Sequence, residues 1–283
     1  MGGSGGGSGG GFEGTVALVT GAARGQGRSH AVALAREGAD VVLLDRCAPL
    51  AGVPYDLASP ADLVETVRQV EARGRRAVAH QVDVRDGPAT TAAVADGVAR
   101  LGRLDVVVAN AGVTGYARAQ DLTDQQWDAV VGTVLTGTFR TVRAAVPHLR
   151  VRGGSVVITS STEGLQAVQH MAHYTAAKHG LVGLARTLAL ELAADGIRVN
   201  TVHPTSTDTA MIHNRATYAL FRPDLDPDQP TRADVVAPFT GLNALPVAWI
   251  DPADVTAAVL WLAGGTARHV TGTQLPVDAG ALL

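Results

Sequence analysis

Ser161, Tyr174 and Lys178, separated by thirteen and then four residues, are side chains of the kinds that can pass a proton to or from a hydroxyl group. A tyrosine and a lysine four apart on a helix share one face, about a turn from each other. An ammonium beside a phenol favours the phenolate and lowers a pKa that starts near ~10. That makes Tyr174 usable as a general base near neutral pH. Ser161 closes an apolar run and is placed to hold the oxygen whose proton Tyr174 exchanges. A Tyr-x-x-x-Lys pair is common by chance, so its weight depends on what stands upstream.

Upstream stands TGAARGQG, Thr20–Gly27, after an apolar run and before a segment of helical period. Gly21, Gly25 and Gly27, with Arg24 and Gln26 between them, suit a turn where a pyrophosphate approaches the backbone closely and the free N–H groups of a helix start receive it. The glycine spacing departs from the common dinucleotide fingerprint, and alone it is a weak signal. Asp45 ends the next apolar run, 24 residues after Gly21. From there a carboxylate accepts hydrogen bonds from a ribose diol and repels a 2′-phosphate, which favours NAD over NADP. Arg24 and Arg46 argue the other way, since either can pair with that phosphate. Asp83, followed by Val84, is a candidate acceptor for an adenine amine and equally a helix N-cap or turn residue.

These residues need elements to hold them. Runs rich in Val, Ile and Leu alternate with amphipathic segments, the pattern of a doubly wound α/β fold whose parallel sheet is covered by helices on both faces. Strands are predicted at Val16–Thr20, Val41–Asp45, Ala77–Val82, Val106–Ala109, Ser155–Thr159, Arg198–Val202 and Gln274–Val277, giving a seven-stranded Rossmann-type sheet. Helices are predicted near Gly25–Glu37, Ser59–Arg73, Pro88–Leu101, Thr123–Leu149, Tyr174–Ala194 and Pro252–Ala263. In the fourth, Trp127, Val130, Val131, Val134, Leu135, Val142 and Val146 fall on one side. Met1–Gly11 contains only Met, Gly and Ser and reads as an appended linker, leaving residues 12–283 as one NAD-binding domain. Two stretches break the rhythm: a Pro-containing insertion, Cys47–Ser59, and a long irregular excursion, Thr205–Val247. Both leave the carboxyl ends of strands, where open α/β sheets bind ligands.

Composition narrows the function classes. Of the 283 residues 46% are hydrophobic and 17% charged, with a formal net charge of −3, enough for a core and without the basic surface of a nucleic-acid binder. No apolar stretch reaches the ~18 residues of a membrane span and no secretory pattern opens the chain, so a cytoplasmic protein is expected. Cys47 is the single cysteine, which excludes internal disulfides and multi-cysteine zinc sites. No metal site is expected: only His170 and His173 among nine histidines lie close together, without a carboxylate partner set. Those two are candidates for the substrate entrance or ordinary surface histidines. Trp249 and the apolar residues of Ala237–Ile250 are candidates for a substrate wall or plain core. Asp224, Asp226 and Asp228 read as a solvated loop, since prolines interrupt them.

From Thr15 to Leu283 the chain resembles the short-chain dehydrogenases/reductases, through TGAARGQG, ANAG at Ala109–Gly112, ITSS followed by YTAAK, and IRVNTVHPTSTDT at Ile197–Thr209. GRSHAVALAREGAD, LDRCAPLAGVPY, HPTSTDTAMIHN and LFRPDL further resemble the carveol dehydrogenase, or mycofactocin-coupled, branch. The resemblance implies a Rossmann fold holding NAD, with Tyr174 as acid/base, Lys178 lowering its pKa and binding the nicotinamide ribose, and Ser161 fixing the carbinol or carbonyl oxygen. It implies that Asn110, Ala111 and Gly112 pass under the cofactor and that Pro204, Thr207 and Thr209 fix the carboxamide. It further implies a carveol-like secondary alcohol as substrate, an insertion that keeps NAD from exchanging, mycofactocin as electron acceptor, and a homotetramer. Two positions depart from the pattern. Val134 stands where the family has an asparagine that holds a water leading to the lysine, and Thr205 stands where relatives have Gly. Val134 leaves three readings: a rerouted relay, a slow enzyme, or a residue that only extends the apolar face. It also motivates an alternative from another class, an NAD-holding sensor or assembly protein with weak catalysis. An epimerase or dehydratase of the extended relatives is disfavoured by the glycine spacing and the shorter C-terminal region.

Overall fold

The computed structural model describes residues 11–283, so the expected linker lies, but for Gly11, outside the described residues. Seven strands, β1 (Val16–Thr20), β2 (Asp40–Asp45), β3 (Ala77–Gln81), β4 (Val106–Ala109), β5 (Gly154–Thr159), β6 (Ile197–Pro204) and β7 (Gln274–Val277), form one sheet in the order 3-2-1-4-5-6-7. Every pairing is parallel. The α-helices among the described residues are α1 (Gly25–Arg36), α2 (Pro60–Glu71), α3 (Gly87–Leu101), α4 (Asp124–Val131), α5 (Gly137–Leu149), α6 (Ala172–Glu191), α7 (Arg215–Phe221), α8 (Val236–Thr240) and α9 (Pro252–Ala263).

The strands are apolar at successive positions because both faces of the sheet are covered. Side chains alternate between the faces. Val16, Leu18, Val42 and Leu44 enter a core with residues of α3, α5 and α6, while Ala17, Val19, Val41 and Leu43 enter a second core with residues of α1 and α9. The helix starts are encoded locally. Ser59 with Asp62 and Asp251 with Asp254 form reciprocal caps, each ahead of a first-turn proline. Asp86 caps α3, and Gly102 ends it at φ +93°.

The predicted helix Thr123–Leu149 is the principal departure. It is broken by a five-residue π turn, Gly132–Thr136, between α4 and α5. Gly132 and Gly137 bracket the turn, and a Cβ at Gly137 would come within 2.5 Å of Val84 Cγ2, so the backbone packs closely there. Backbone angles stay helical through both junctions, which is why an unbroken hydrophobic period conceals the insertion. Trp127, expected on the apolar face, is instead 42% exposed. The excursion after β6 is less irregular than expected, since it folds α7 and α8. No helix among the described residues is long and apolar enough to cross a membrane.

Strand order reverses between β1 and β4, and the loops leaving their carboxyl ends part there. Thr20 ties the two sides together: its hydroxyl oxygen accepts from the N–H groups of Asn110 (3.0 Å) and Ala111 (3.1 Å), and its carbonyl accepts from Asn110 Nδ2 at 3.1 Å.

Candidate active site

A cavity of about 710 Å³ opens at this switch point. Its wall includes Gly21, Arg24, Gly25, Gln26, Asp45, Arg46, Asp83, Val84, Asn110, Ala111 and Gly112 at one end, and Ser161, Tyr174, Lys178, Pro204, Thr207 and Thr209 at the other. Of the residues singled out from the sequence for catalysis or cofactor binding, Gly27 does not line the cavity. It lies beneath the turn, where a Cβ would meet the Gly21 carbonyl oxygen at 2.0 Å.

The glycine turn is built for close approach. Gly21 and Gly25 have φ of +65° and +56°, a region that favours glycine. Arg24 precedes α1 with extended backbone and no side-chain cap, so the first N–H groups of the helix point out without an internal partner. Thr209 rests its methyl group against Gly25, 3.3 Å from where a Cβ would be. The loop after β6 therefore meets the turn after β1.

Asp45 accepts from Ala23 N through Oδ2 at 3.0 Å and from Cys47 N (3.0 Å) and Cys47 Sγ (3.7 Å) through Oδ1, which leaves a lone pair on Oδ2 for a ligand. Arg46 is already engaged: it donates to Asp83 (2.8 Å) and to the Pro49 carbonyl (2.7 Å). Arg24 donates to the Asp56 carbonyl. Asp83 is as heavily engaged, accepting from Arg46 and from the guanidinium and backbone N–H of Arg85. Those hydrogen bonds hold its carboxyl below the usual range despite partial burial. The expected use of Asp83 as an adenine acceptor must therefore compete with two arginines.

Insertion residues Tyr55, Leu57 and Ala58 also form cavity wall, and Leu50, Val53 and Leu57 pack into the core. The buried Tyr55 hydroxyl accepts from Thr114 N at 3.2 Å, pinning the insertion across the loop after β4. On the other side Met211, Ile212, Leu220, Phe221, Phe239 and Leu242 give an apolar wall. Phe221 and Phe239 stack with ring centroids 4.1 Å apart. Trp249 is not part of that wall; it packs edge-on against Phe239 at 5.9 Å. His170 lines the cavity, while His173 is fully buried away from it.

Ser161, Tyr174 and Lys178 come together as the spacing predicts, but their electrostatics differ from the sequence argument. Lys178 Nζ lies 5.3 Å from the centre of the Tyr174 ring and donates to the Thr159 carbonyl at 2.7 Å. Burial pulls Lys178 down to about 7, so near neutrality it is only partly charged. Tyr174 is pushed up instead of down. Burial is the largest cause, the Glu163 carboxylate adds to it, and the neighbouring Ser161 hydroxyl pulls the other way. The protein's own groups hold Tyr174 as the phenol.

Three contributors were not visible in the sequence. Glu163 reaches the cavity and accepts from the Ser161 and Thr162 hydroxyls. His203 Nδ1 is 2.7 Å from the Ser161 carbonyl and Nε2 is 2.7 Å from Thr201 Oγ1. A carbonyl only accepts, so Nδ1 carries the proton and Nε2 receives the threonine's; burial, which takes His203 down to about 4, keeps the ring neutral. Thr133, in the π turn, also lines the cavity, with a buried hydroxyl that has no partner among the described residues.

Val134 is 1% exposed within the apolar core, off the cavity wall. A Val134→Asn substitution would bury an amide among apolar groups at a cost of about 1–3 kcal/mol. We expect a lower unfolding midpoint and no large gain in turnover; a large gain would show that the missing amide limits the reaction.

A short chain dehydrogenase family model matches residues 15–218. The chain is 48% identical to (−)-trans-carveol dehydrogenase of Rhodococcus erythropolis, over 96% of this chain and 98% of that protein. It is 50% identical to an NAD-dependent oxidoreductase of Mycobacterium tuberculosis, over 96% of this chain and 97% of that one. The crystal structure of carveol dehydrogenase from Mycobacterium avium in complex with NAD superposes with a TM-score of 0.94 at 48% identity, covering 96% of this chain and 99% of that one.

Proposed function

The chain belongs to the short-chain dehydrogenase family, and on that premise we propose that it interconverts a small, largely apolar secondary alcohol and its ketone with NAD as hydride carrier. The observation that carries this reading is one cavity that joins the glycine turn and Asp45 to Ser161, Tyr174 and Lys178.

The nucleotide end fits NAD. Gly21, Gly25 and the uncapped start of α1 offer backbone N–H groups to a pyrophosphate. Asp45 keeps a lone pair on Oδ2 for the ribose diol. Both arginines that would favour a 2′-phosphate already donate to other oxygens. Asn110, Ala111 and Gly112, with Pro204, Thr207 and Thr209, would flank the nicotinamide end. When bound, NAD supplies the hydride acceptor and, in its oxidised form, a positive charge that favours the phenolate.

The chain's own residues do the rest. Ser161, held through its carbonyl by His203, turns its hydroxyl from Glu163 to fix the substrate oxygen. Tyr174 exchanges the hydroxyl proton. Lys178, anchored on Thr159, supplies positive charge to the phenolate and a donor to the nicotinamide ribose. The apolar wall of Phe221, Phe239 and Leu242 excludes water from the carbon skeleton. Similarity to a carveol dehydrogenase supports a cyclic, terpenoid-like alcohol.

The insertion supports a finer reading, in which NAD is held without ready exchange and mycofactocin collects the electrons. Tyr55 and Leu57 wall the cavity, and the Tyr55–Thr114 hydrogen bond fastens them. Exposed Trp127 and Phe139 on α4 and α5 and Leu190 on α6 support assembly into a homotetramer. Native mass spectrometry of desalted protein tests both readings at once. We expect four subunits carrying NAD, and bound NADH formed in a single turnover on mixing with an alcohol. Rapid loss of nucleotide on desalting, with fast turnover of added NAD, would defeat the non-exchange reading. Full occupancy without reduction by any alcohol would favour a nucleotide-holding protein.

A further inference from the structure

We propose that Glu163 binds a second hydrogen-bond donor on the substrate, carried on the carbon next to the carbinol, so that vicinal diols and vicinal amino alcohols are preferred over mono-alcohols. This rests on the reading of Ser161 and Tyr174 given above.

Glu163 stands two residues beyond Ser161, in the short turn after β5, and forms part of the cavity wall. Its Oε2 accepts from the Ser161 hydroxyl and, at 3.1 Å, from Thr162 Oγ1. An ionised carboxylate has about four acceptor sites. The two hydroxyls use one oxygen, and among the described residues Oε1 accepts no hydrogen bond. Nor does any basic side chain there form an ion pair with Glu163. Lys178 feels its charge but gives its hydrogen bond to Thr159. Tyr116 also feels that charge, and its hydroxyl is paired with Thr217 Oγ1 at 3.0 Å.

Glu163 lines the same cavity as Leu220, Phe221, Phe239 and Leu242 and has no ion-pair partner among the described residues. A donor brought by the ligand satisfies it, and hydrogen bonds to a charged acceptor are roughly twice as strong as neutral ones. The spacing sets where that donor sits. Ser161 Oγ and the Glu163 carboxylate are one hydrogen bond apart. A carbinol oxygen on the first and a donor on the second can then sit as close as they do on adjacent carbons. The redox balance is unchanged: the carbinol carbon gives up its C–H pair to NAD and its oxygen gives its proton to Tyr174. The neighbouring hydroxyl or ammonium leaves intact in a hydroxyketone or aminoketone.

The test compares cyclohexanol, trans-1,2-cyclohexanediol and trans-2-aminocyclohexanol in NAD-loaded wild type and Glu163→Gln, following bound NADH in single turnovers by stopped-flow absorbance. In the wild type the second-order rate constant of reduction for the diol, the amino alcohol or both should exceed that for cyclohexanol at least tenfold. In Glu163→Gln that ratio should fall at least tenfold, mainly through the concentration of alcohol needed for half-maximal rate. Using a ratio cancels any general damage to Ser161, and glutamine keeps the side-chain shape. No wild-type preference for either compound, or a preference that survives in Glu163→Gln, overturns the proposal. Calorimetric binding of trans-2-aminocyclohexanol to the NAD-loaded proteins reads the same contact without turnover. Should none of the alcohols be oxidised while binding still weakens tenfold in Glu163→Gln, the dehydrogenase reading fails and the Glu163 assignment stands.

Discussion

Tyr174→Phe is expected to lower turnover by roughly 10²–10⁴-fold, the usual worth of a positioned acid/base group. The substitution removes one oxygen and leaves the ring, which is 8% exposed and packed in the core with Ala177 and Leu181, in place. Nucleotide binding and the unfolding midpoint should therefore stay near the wild-type values, and the loss should appear in kcat. The effect is large because the groups beside Tyr174 are otherwise engaged, Glu163 among them with the Ser161 and Thr162 hydroxyls. Lys178 is committed to the Thr159 carbonyl, and the Tyr116 hydroxyl is paired with Thr217. Stopped-flow absorbance of NADH with saturating alcohol makes the measurement. Oxidation at an undiminished rate would remove Tyr174 from the chemistry.

Gly27→Ala should abolish nucleotide binding, weakening it at least a hundredfold. The added carbon would lie 2.0 Å from the Gly21 oxygen, 2.7 Å from its carbon and 2.8 Å from Asn110 Nδ2. Two of these are backbone atoms of the turn, and the third belongs to the clamp between β1 and β4, so no flexible side chain can give way. α1 must lift off the turn and carry its uncapped N–H groups with it. Gly183→Ala is the matched control: it lies mid-helix in α6 with nothing within 4 Å, and should stabilise the protein by about 0.5–1 kcal/mol without touching binding. Calorimetric titration with NAD distinguishes the two. Wild-type affinity in Gly27→Ala would mean that the turn is far softer than its contacts indicate.

The fold was legible because most strands are short runs of Val, Ile or Leu, with β1, β2 and β4 closed by Gly21, Asp45 and Asn110, and both sheet faces are buried. The nucleotide end was legible for a related reason: glycines at positive φ and a carboxylate at a strand end are needs of the backbone, and sequence records them directly. What escaped notice depends on the third dimension. The π turn leaves the apolar period unbroken, so Thr133 could not be assigned to the cavity while Val134 entered the core. The expected lowering of the Tyr174 pKa neglected burial, the largest of the causes that raise it, and burial also pulls Lys178 down. Glu163 belongs to a segment with no recognisable motif, and Tyr55, though it ends a stretch that resembles the carveol dehydrogenase branch, reaches the wall only through packing. His203 acts through a carbonyl that no pattern of side chains reveals.

The double hydrogen bonding of Asp45 bears on how this protein can change over evolution or in the hands of an engineer. One carboxylate steadies both the loop at Ala23 and the first residue of the insertion, Cys47, which sits at a positive φ of 49°. Swapping Asp45 for a smaller or neutral residue to admit a phosphorylated ribose would slacken two loops at once. Coenzyme preference is thereby welded to the architecture around it, and a successful switch has to redesign the strand end and its insertion as a single unit.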